Sequence, residues 1–331
     1  MKEITKFIFT VVTTILLFSN SAIAATDIVK IDGSSTVYPI TEAVAEEFQI
    51  ETGINVTVGV SGTGGGFKKF CRGDTFISNA SRPIKPNEIK KCKEAGIDFI
   101  EIPIAFDAIT IVVNKRNDWA KEMTPAELKK AWEPLAQSKI TKWSQVRDSW
   151  PDAPLKLYGP GADSGTFDYF TESIVGESKA IRGDFTASED DNVLVQGVSG
   201  DKGGLGYFGL AYFNENKNKL DAVAIKNGKG KFIVPSLKTV MDGSYNPLSR
   251  PLFIYLNASK AAFDPNVKKF IDFYLKHAAV LSTEVGYIPF SKSEYAAITN
   301  HYKTLKTGTA FKKPAIGLSV QQMLDLSSSN Q

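Results

Sequence analysis

Short runs of β-branched and aromatic residues alternate with helically spaced apolar residues along almost the whole chain. That alternation is the strongest constraint on its fold. Asp27–Asp32 and Ile54–Val60 read as strands, and between them Val37, Ile40, Val44 and Phe48 share one helical face that stops at Gly53. Phe99–Ile104, Ala108–Asn114, Leu155–Tyr158, Leu205–Phe213 and Leu252–Leu256 read as further strands. Thr124-Pro125-Ala126-Glu127 is a capping box that opens a helix with Leu128, Ala131 and Trp132 inward. Pro265 opens a longer one carrying Val267, Phe270, Ile271, Tyr274 and Leu275. Strands alternating with helices predict an α/β protein with largely parallel sheets. At 331 residues one core is too few, so two domains with two sheets are expected, with a ligand cleft between them.

The first residues read as an address. Lys2 and Lys6 precede the apolar run Phe7 to Phe18, and Ala22-Ile23-Ala24 ends in an Ala-x-Ala pattern. A twelve-residue run spans about 18 Å as helix, short of a bilayer's ~30 Å hydrocarbon core. Residues 1–24 are therefore expected to be a cleaved secretory signal. Export makes Cys71 and Cys92, the only two cysteines, a disulfide candidate.

Composition narrows the chemistry. Two histidines, His277 and His301, and two cysteines are too few for a His/Cys metal site or a histidine-dependent catalytic apparatus. With 39 Lys+Arg against 36 Asp+Glu and no basic stripe, nucleic-acid binding is not expected. Hydroxyls, glycines, carboxylates, arginine and backbone groups remain.

Three loops share one design. Gly33-Ser34-Ser35-Thr36, Ser61-Gly62-Thr63-Gly64-Gly65-Gly66 and Asp163-Ser164-Gly165-Thr166 each stand before a helical pattern, the first two directly after a strand. The helix after the second is read as Phe67 to Cys71. The first N–H groups of a helix have no intrahelical acceptor, and its dipole favours negative charge there. Any one loop is also explained as ordinary N-capping; three together point to a small desolvated oxyanion. Arg82, in Asn79-Ala80-Ser81-Arg82-Pro83, is read as a bidentate clamp on that anion. Asp163 is read as a selectivity device. An ionised carboxylate only accepts, so it receives a phosphate proton and repels sulfate, which carries none near neutral pH. Gly204-Leu-Gly206-Tyr-Phe-Gly209 fits a GxGxxG pattern, but its strand-like setting argues against a dinucleotide site.

The segments DGSSTVYPI (32–40), ETGINVTV (51–58), SGTGGGFKKF (61–70), ISNASRPI (77–84) and GADSGTFDYF (161–170) resemble the periplasmic phosphate-binding proteins of phosphate ABC transporters, the PstS type. GGLGYFGLAYF (203–213) and GYIPFS (286–291) add to the likeness, which runs in order over nearly the whole mature chain. The resemblance implies a type II periplasmic-binding-protein fold with two α/β lobes and a ligand cleft between them. The first lobe would be discontinuous, residues 25–110 and 252–331, and the second would be residues 111–251. Crossings are expected near Ile109–Asn114 and Arg250–Leu256. Phosphate would be held by Ser35, Thr36, Ser61 or Thr63, Arg82, Asp163, Ser164, Gly165 and Thr166. The best-known branch carries Asp at the position of Arg82, and an Arg where Pro160 or Gly161 stands here. That departure makes Asp163 the candidate proton acceptor, with Asp168 behind it. The resemblance further implies a monomer that delivers phosphate to a membrane permease, with no cofactor and no catalytic residue. A receptor for sulfate or molybdate is the alternative within this class. A secreted hydrolase using Ser164 or Ser61 is the alternative outside it, although the chain has no GxSxG elbow.

Overall fold

The structure is a computed structural model that describes residues 28–309. The signal expected over residues 1–24 lies outside the described residues. Among these, no helix is long and apolar enough to cross a membrane.

Two separate cores divide the chain into two lobes. One gathers buried apolar residues from Val29 to Ala105 and from Leu252 to Tyr302, with Ala211. The other gathers Ala108 to Leu248, with Ile288. In the first lobe three parallel strands, Val29–Gly33, Val56–Val60 and Ile77–Ala80, lie side by side with Val29–Gly33 central. Each feeds a loop and then a helix, Tyr38–Thr52, Gly62–Phe70 and Pro86–Glu94 respectively. The helix of the glycine-rich loop starts at Gly62 rather than at Phe67, so Thr63 sits in its first turn. Phe67, packed edge-on against Tyr255 with ring centroids 4.8 Å apart, ties that helix to the sheet. In the second lobe Lys156–Pro160 pairs in parallel with Gly204–Gly209 and Thr186–Ser188.

The expected pair of sheets is one continuous nine-stranded ladder, accompanied by a small three-stranded sheet. The reason lies in one long strand. Phe99–Asn114, expected as two strands, is unbroken over 16 residues. Its first half pairs antiparallel with Ser249–Asn257, and its second half with Gly204–Gly209 and Leu220–Ala222. The chain changes lobe without leaving the ladder: Asp107 still pairs with Arg250, and Ile109 already pairs with Gly209. The strand expected over Leu205–Phe213 ends at Gly209, where the helix Leu210–Glu215 begins. The GxGxxG segment is thus a strand, as its sequence setting suggested.

Cys71 and Cys92 form a disulfide between the end of the Gly62–Phe70 helix and the Pro86–Glu94 helix. It closes a loop of 21 positions. Replacing both cysteines with serine should lower unfolding free energy by about 3 kcal/mol through the unfolded chain's regained freedom. Denaturant titration of oxidised wild type against the double variant measures this; equal midpoints would contradict it.

Candidate functional site

The three hydroxyl- and glycine-bearing loops converge where the lobes meet. Thr36 Oγ1 lies 3.0 Å from Thr166 Oγ1, across 130 positions of sequence. Thr63 Oγ1 accepts from the Ser81 backbone N–H at 3.1 Å and lies 3.3 Å from Ser81 Oγ. Gly165 closes this cluster. A β-carbon there would stand 2.5 Å from Ser81 Oγ and 2.6 Å from Thr63 Oγ1, so only glycine lets the second lobe's backbone approach so near. Ser164 caps the helix that opens at Gly165, its Oγ accepting from the Thr166 and Phe167 N–H groups at 3.1 and 3.4 Å. That leaves its hydroxyl proton for another acceptor. The loop is fixed from behind by Phe170, which stacks on Tyr207 at 3.9 Å and meets Trp132 edge-on at 5.7 Å.

The two candidates of the second loop part ways. Ser61 donates to Asp32, which also receives Lys69 at 2.6 Å, and so faces away from the cluster. Thr63 faces into it. Ser35 is buried, with its carbonyl accepting from Tyr212 Oη at 3.1 Å. The Thr36 carbonyl accepts from Tyr287 Oη.

The cation in the cluster is Arg250, which sequence reasoning did not single out. Its Nη2 reaches Thr166 Oγ1 at 2.6 Å and Thr36 Oγ1 at 3.3 Å, one hydroxyl from each lobe. Its Nη1 donates to the Ser81 carbonyl at 3.1 Å. Nε and Nη2 also bind Asp107 Oδ2, at 3.2 and 3.0 Å. Both side chains are wholly buried. Arg250 and Asp107 are direct cross-strand partners in the antiparallel ladder at the lobe crossing. A signal for them existed: each is a charge within a mostly apolar strand, although Glu101 shares the strand of Asp107. A buried charge survives only with a partner or a ligand.

Arg82 has a different setting from the one its sequence context suggested. Nε donates to Asp168 at 2.7 Å, Nη1 and Nη2 to Glu88 at 2.8 and 2.7 Å, and Nη1 also to the Pro83 carbonyl at 3.0 Å. Burial works against this charge, yet Glu88 and Asp168 outweigh burial and raise its pKa. Asp168 belongs to the second lobe's helix and also pairs with Lys85 at 2.9 Å. Arg82 therefore grips the opposite lobe. Asp163 is likewise set apart: its carboxylate is partly exposed and pairs with Lys68 at 2.8 Å, while its carbonyl accepts from Gly64 N–H at 2.7 Å. The buried carboxylate inside the hydroxyl cluster is Asp107.

A second buried acid stands near. Asp191 opens the helix Asp191–Gly200, and one of its carboxyl oxygens has no hydrogen-bond partner. Burial first, and then the charge of Asp107, push it up to about 8, with Asp190 and Glu189 adding to the rise and Arg250 opposing it. The folded chain keeps a proton that the unfolded chain releases near pH 4. The folded state thus binds more protons, and stability falls as pH rises from about 4 to about 8. Asp191→Asn should flatten that slope in thermal melts across pH 5 to 9; parallel slopes for both proteins would refute it.

Comparison with known proteins shows the family. A family model described as PBP superfamily domain matches residues 20–277. Protein SphX of Synechococcus elongatus is 54% identical over 299 residues, covering 90% of this chain and 88% of that protein. Phosphate-binding protein PstS of Staphylococcus saprophyticus is 42% identical over 270 residues, covering 81% and 82%. Among solved structures, a putative phosphate ABC transporter substrate-binding protein from Clostridium perfringens, with bound phosphate, shares 26% identity with a TM-score of 0.65. It matches 80% of this chain and 100% of that one.

Proposed function

This chain belongs to the PBP superfamily and, within it, to the family of the phosphate-binding protein PstS and SphX, and from that membership we propose that it captures inorganic phosphate between its lobes for delivery to an ABC-type permease. One lobe is built on the core of residues 29–105 and 252–302 and the other on that of residues 108–248, so the change of lobe falls a few residues before the expected boundary at 110. The chain is exported by residues 1–24, acts as a monomer and makes or breaks no bond.

The observation that carries the reading is Arg250. A fully desolvated guanidinium touches a hydroxyl from each lobe, at the focus of the three loops. Phosphate oxygens accept from Arg250, from the hydroxyls of Ser35, Thr36, Thr63, Ser164 and Thr166, and from the backbone N–H of Gly165. Asp107 takes the role that sequence reasoning gave to Asp163. Already held by Arg250, it is an acceptor-only group beside the anion, so it receives a phosphate proton and disfavours sulfate. Arg82 joins the lobes rather than the anion.

Calorimetric titration of residues 25–331, freed of ligand, with phosphate, arsenate and sulfate tests this. Phosphate and arsenate should bind and sulfate should bind at least about 100-fold more weakly, the cost of a buried acceptor left without its proton. Equal affinity for sulfate would remove Asp107 from selectivity. No binding of any oxyanion would overturn the receptor reading.

A further inference from the structure

The meeting line of the lobes has flanks of opposite charge. On one side a small pocket of 110 Å³ reaches from Gly64 and Arg82 outward past Lys68, Lys85, Lys91 and Lys179, and its two acids, Glu88 and Asp163, are paired with Arg82 and Lys68, which leaves the flank cationic. Lys68, Lys91 and Lys179 are exposed, and Lys85 is partly so. On the other side a wider cleft of 590 Å³ runs from Ser35 and Tyr212 past Glu42, Glu46, Glu189, Asp190 and Glu215, with no lysine or arginine among its described lining residues. Gly62 marks the seam between them, since a β-carbon there would stand 2.7 Å from both the Asp163 carbonyl and Glu189 Oε2. The carboxylates already crowd one another: burial first, and then Glu46, raise the pKa of Glu42.

We infer that phosphate reaches and leaves its site through the lysine flank, and that the carboxylate flank is barred to anions. This inference rests on the phosphate-receptor reading above. The whole protein, at a net charge of +3, steers a dianion weakly. A local field is another matter, because exposed charges act over about 8 Å at physiological salt and a cleft where one sign prevails, as lysine does on this flank, raises association rates about tenfold. Approach over five carboxylates meets repulsion at every step, whereas the lysines lead to Gly64 and Arg82, beside the Thr63–Ser81–Gly165 cluster.

Stopped-flow binding of inorganic phosphate to the full mature chain tests the route. The Lys91→Glu/Lys179→Glu pair changes exposed residues outside the anion's contacts. Its association rate constant should fall about tenfold at low salt, with the gap narrowing as salt is added. Neutralising the opposite flank with Glu46→Gln/Glu215→Gln should move the rate less than about twofold. An unchanged rate in the lysine variant would overturn the inference, as would a rise in the glutamine variant as large as the lysine variant's fall. Melting temperatures of both variants check folding. Wild-type chain that binds no phosphate would instead indicate failure of the receptor reading itself.

Discussion

Replacing Arg250 with alanine should lower phosphate affinity by roughly 30- to 5,000-fold, the range set by about 2–5 kcal/mol for truncating one partner of a buried charge pair. The effect is large because two losses coincide. The anion loses the buried cation of the hydroxyl cluster, and Asp107 becomes an uncompensated negative charge beside it. The second loss reaches the fold as well, since an orphaned buried charge costs about 3–5 kcal/mol of stability. Arg250→Met combined with Asp107→Asn separates the two. Removing both charges should restore most of the stability while leaving phosphate unbound. Titration calorimetry reads the affinity and denaturant unfolding reads the stability. An alanine variant that binds within fivefold of wild type would place Arg250 outside the site.

Asp168→Asn should loosen the closed lobes, raising phosphate dissociation about 10- to 100-fold, with the change in association smaller. Asp168 accepts from Arg82 at 2.7 Å and from Lys85 at 2.9 Å, both from the opposite lobe, and the arginine pair is buried. Hydrogen bonds to charged groups contribute about 1.5–3 kcal/mol each, and this one is made only while the lobes touch. Asparagine keeps the shape and removes the charge, while Arg82 retains Glu88 within its own lobe. The ligand-free chain should therefore melt near the wild-type temperature. Stopped-flow dissociation gives the answer: rates within twofold of wild type would mean that these contacts do not hold the lobes together. Arg82→Ala should act in the same direction through the same contact.

Much of the architecture was legible because it follows from local pattern. Tyr38–Thr52 ends at Gly53 in a left-handed conformation, as the glycine after a helical face suggested. The three loops were legible for a similar reason: a strand, a hydroxyl or glycine, and a helix start are neighbours in sequence. The single strand Phe99–Asn114 was less so, because the run from Ala105 to Asp107 looks like an interruption until its neighbours on both sides are known. Whether Ser61 or Thr63 faces the cleft turned on Asp32, 29 positions away, which draws Ser61 aside.

The sequence by itself determined that this chain is α/β and which loops bring hydroxyls and glycines to helix starts, since spacing along the chain encodes both. Only the tertiary structure decided which charges stand in the hydroxyl cluster. Arg82 and Arg250 look alike as residues before proline. What separates them is the company each keeps: Arg82 faces Glu88 and Asp168, while Arg250 lies opposite Asp107 in a ladder joining positions 143 apart. A charge acquires its role from the partners that share its burial, and those partners are brought together by folding, not by order along the chain.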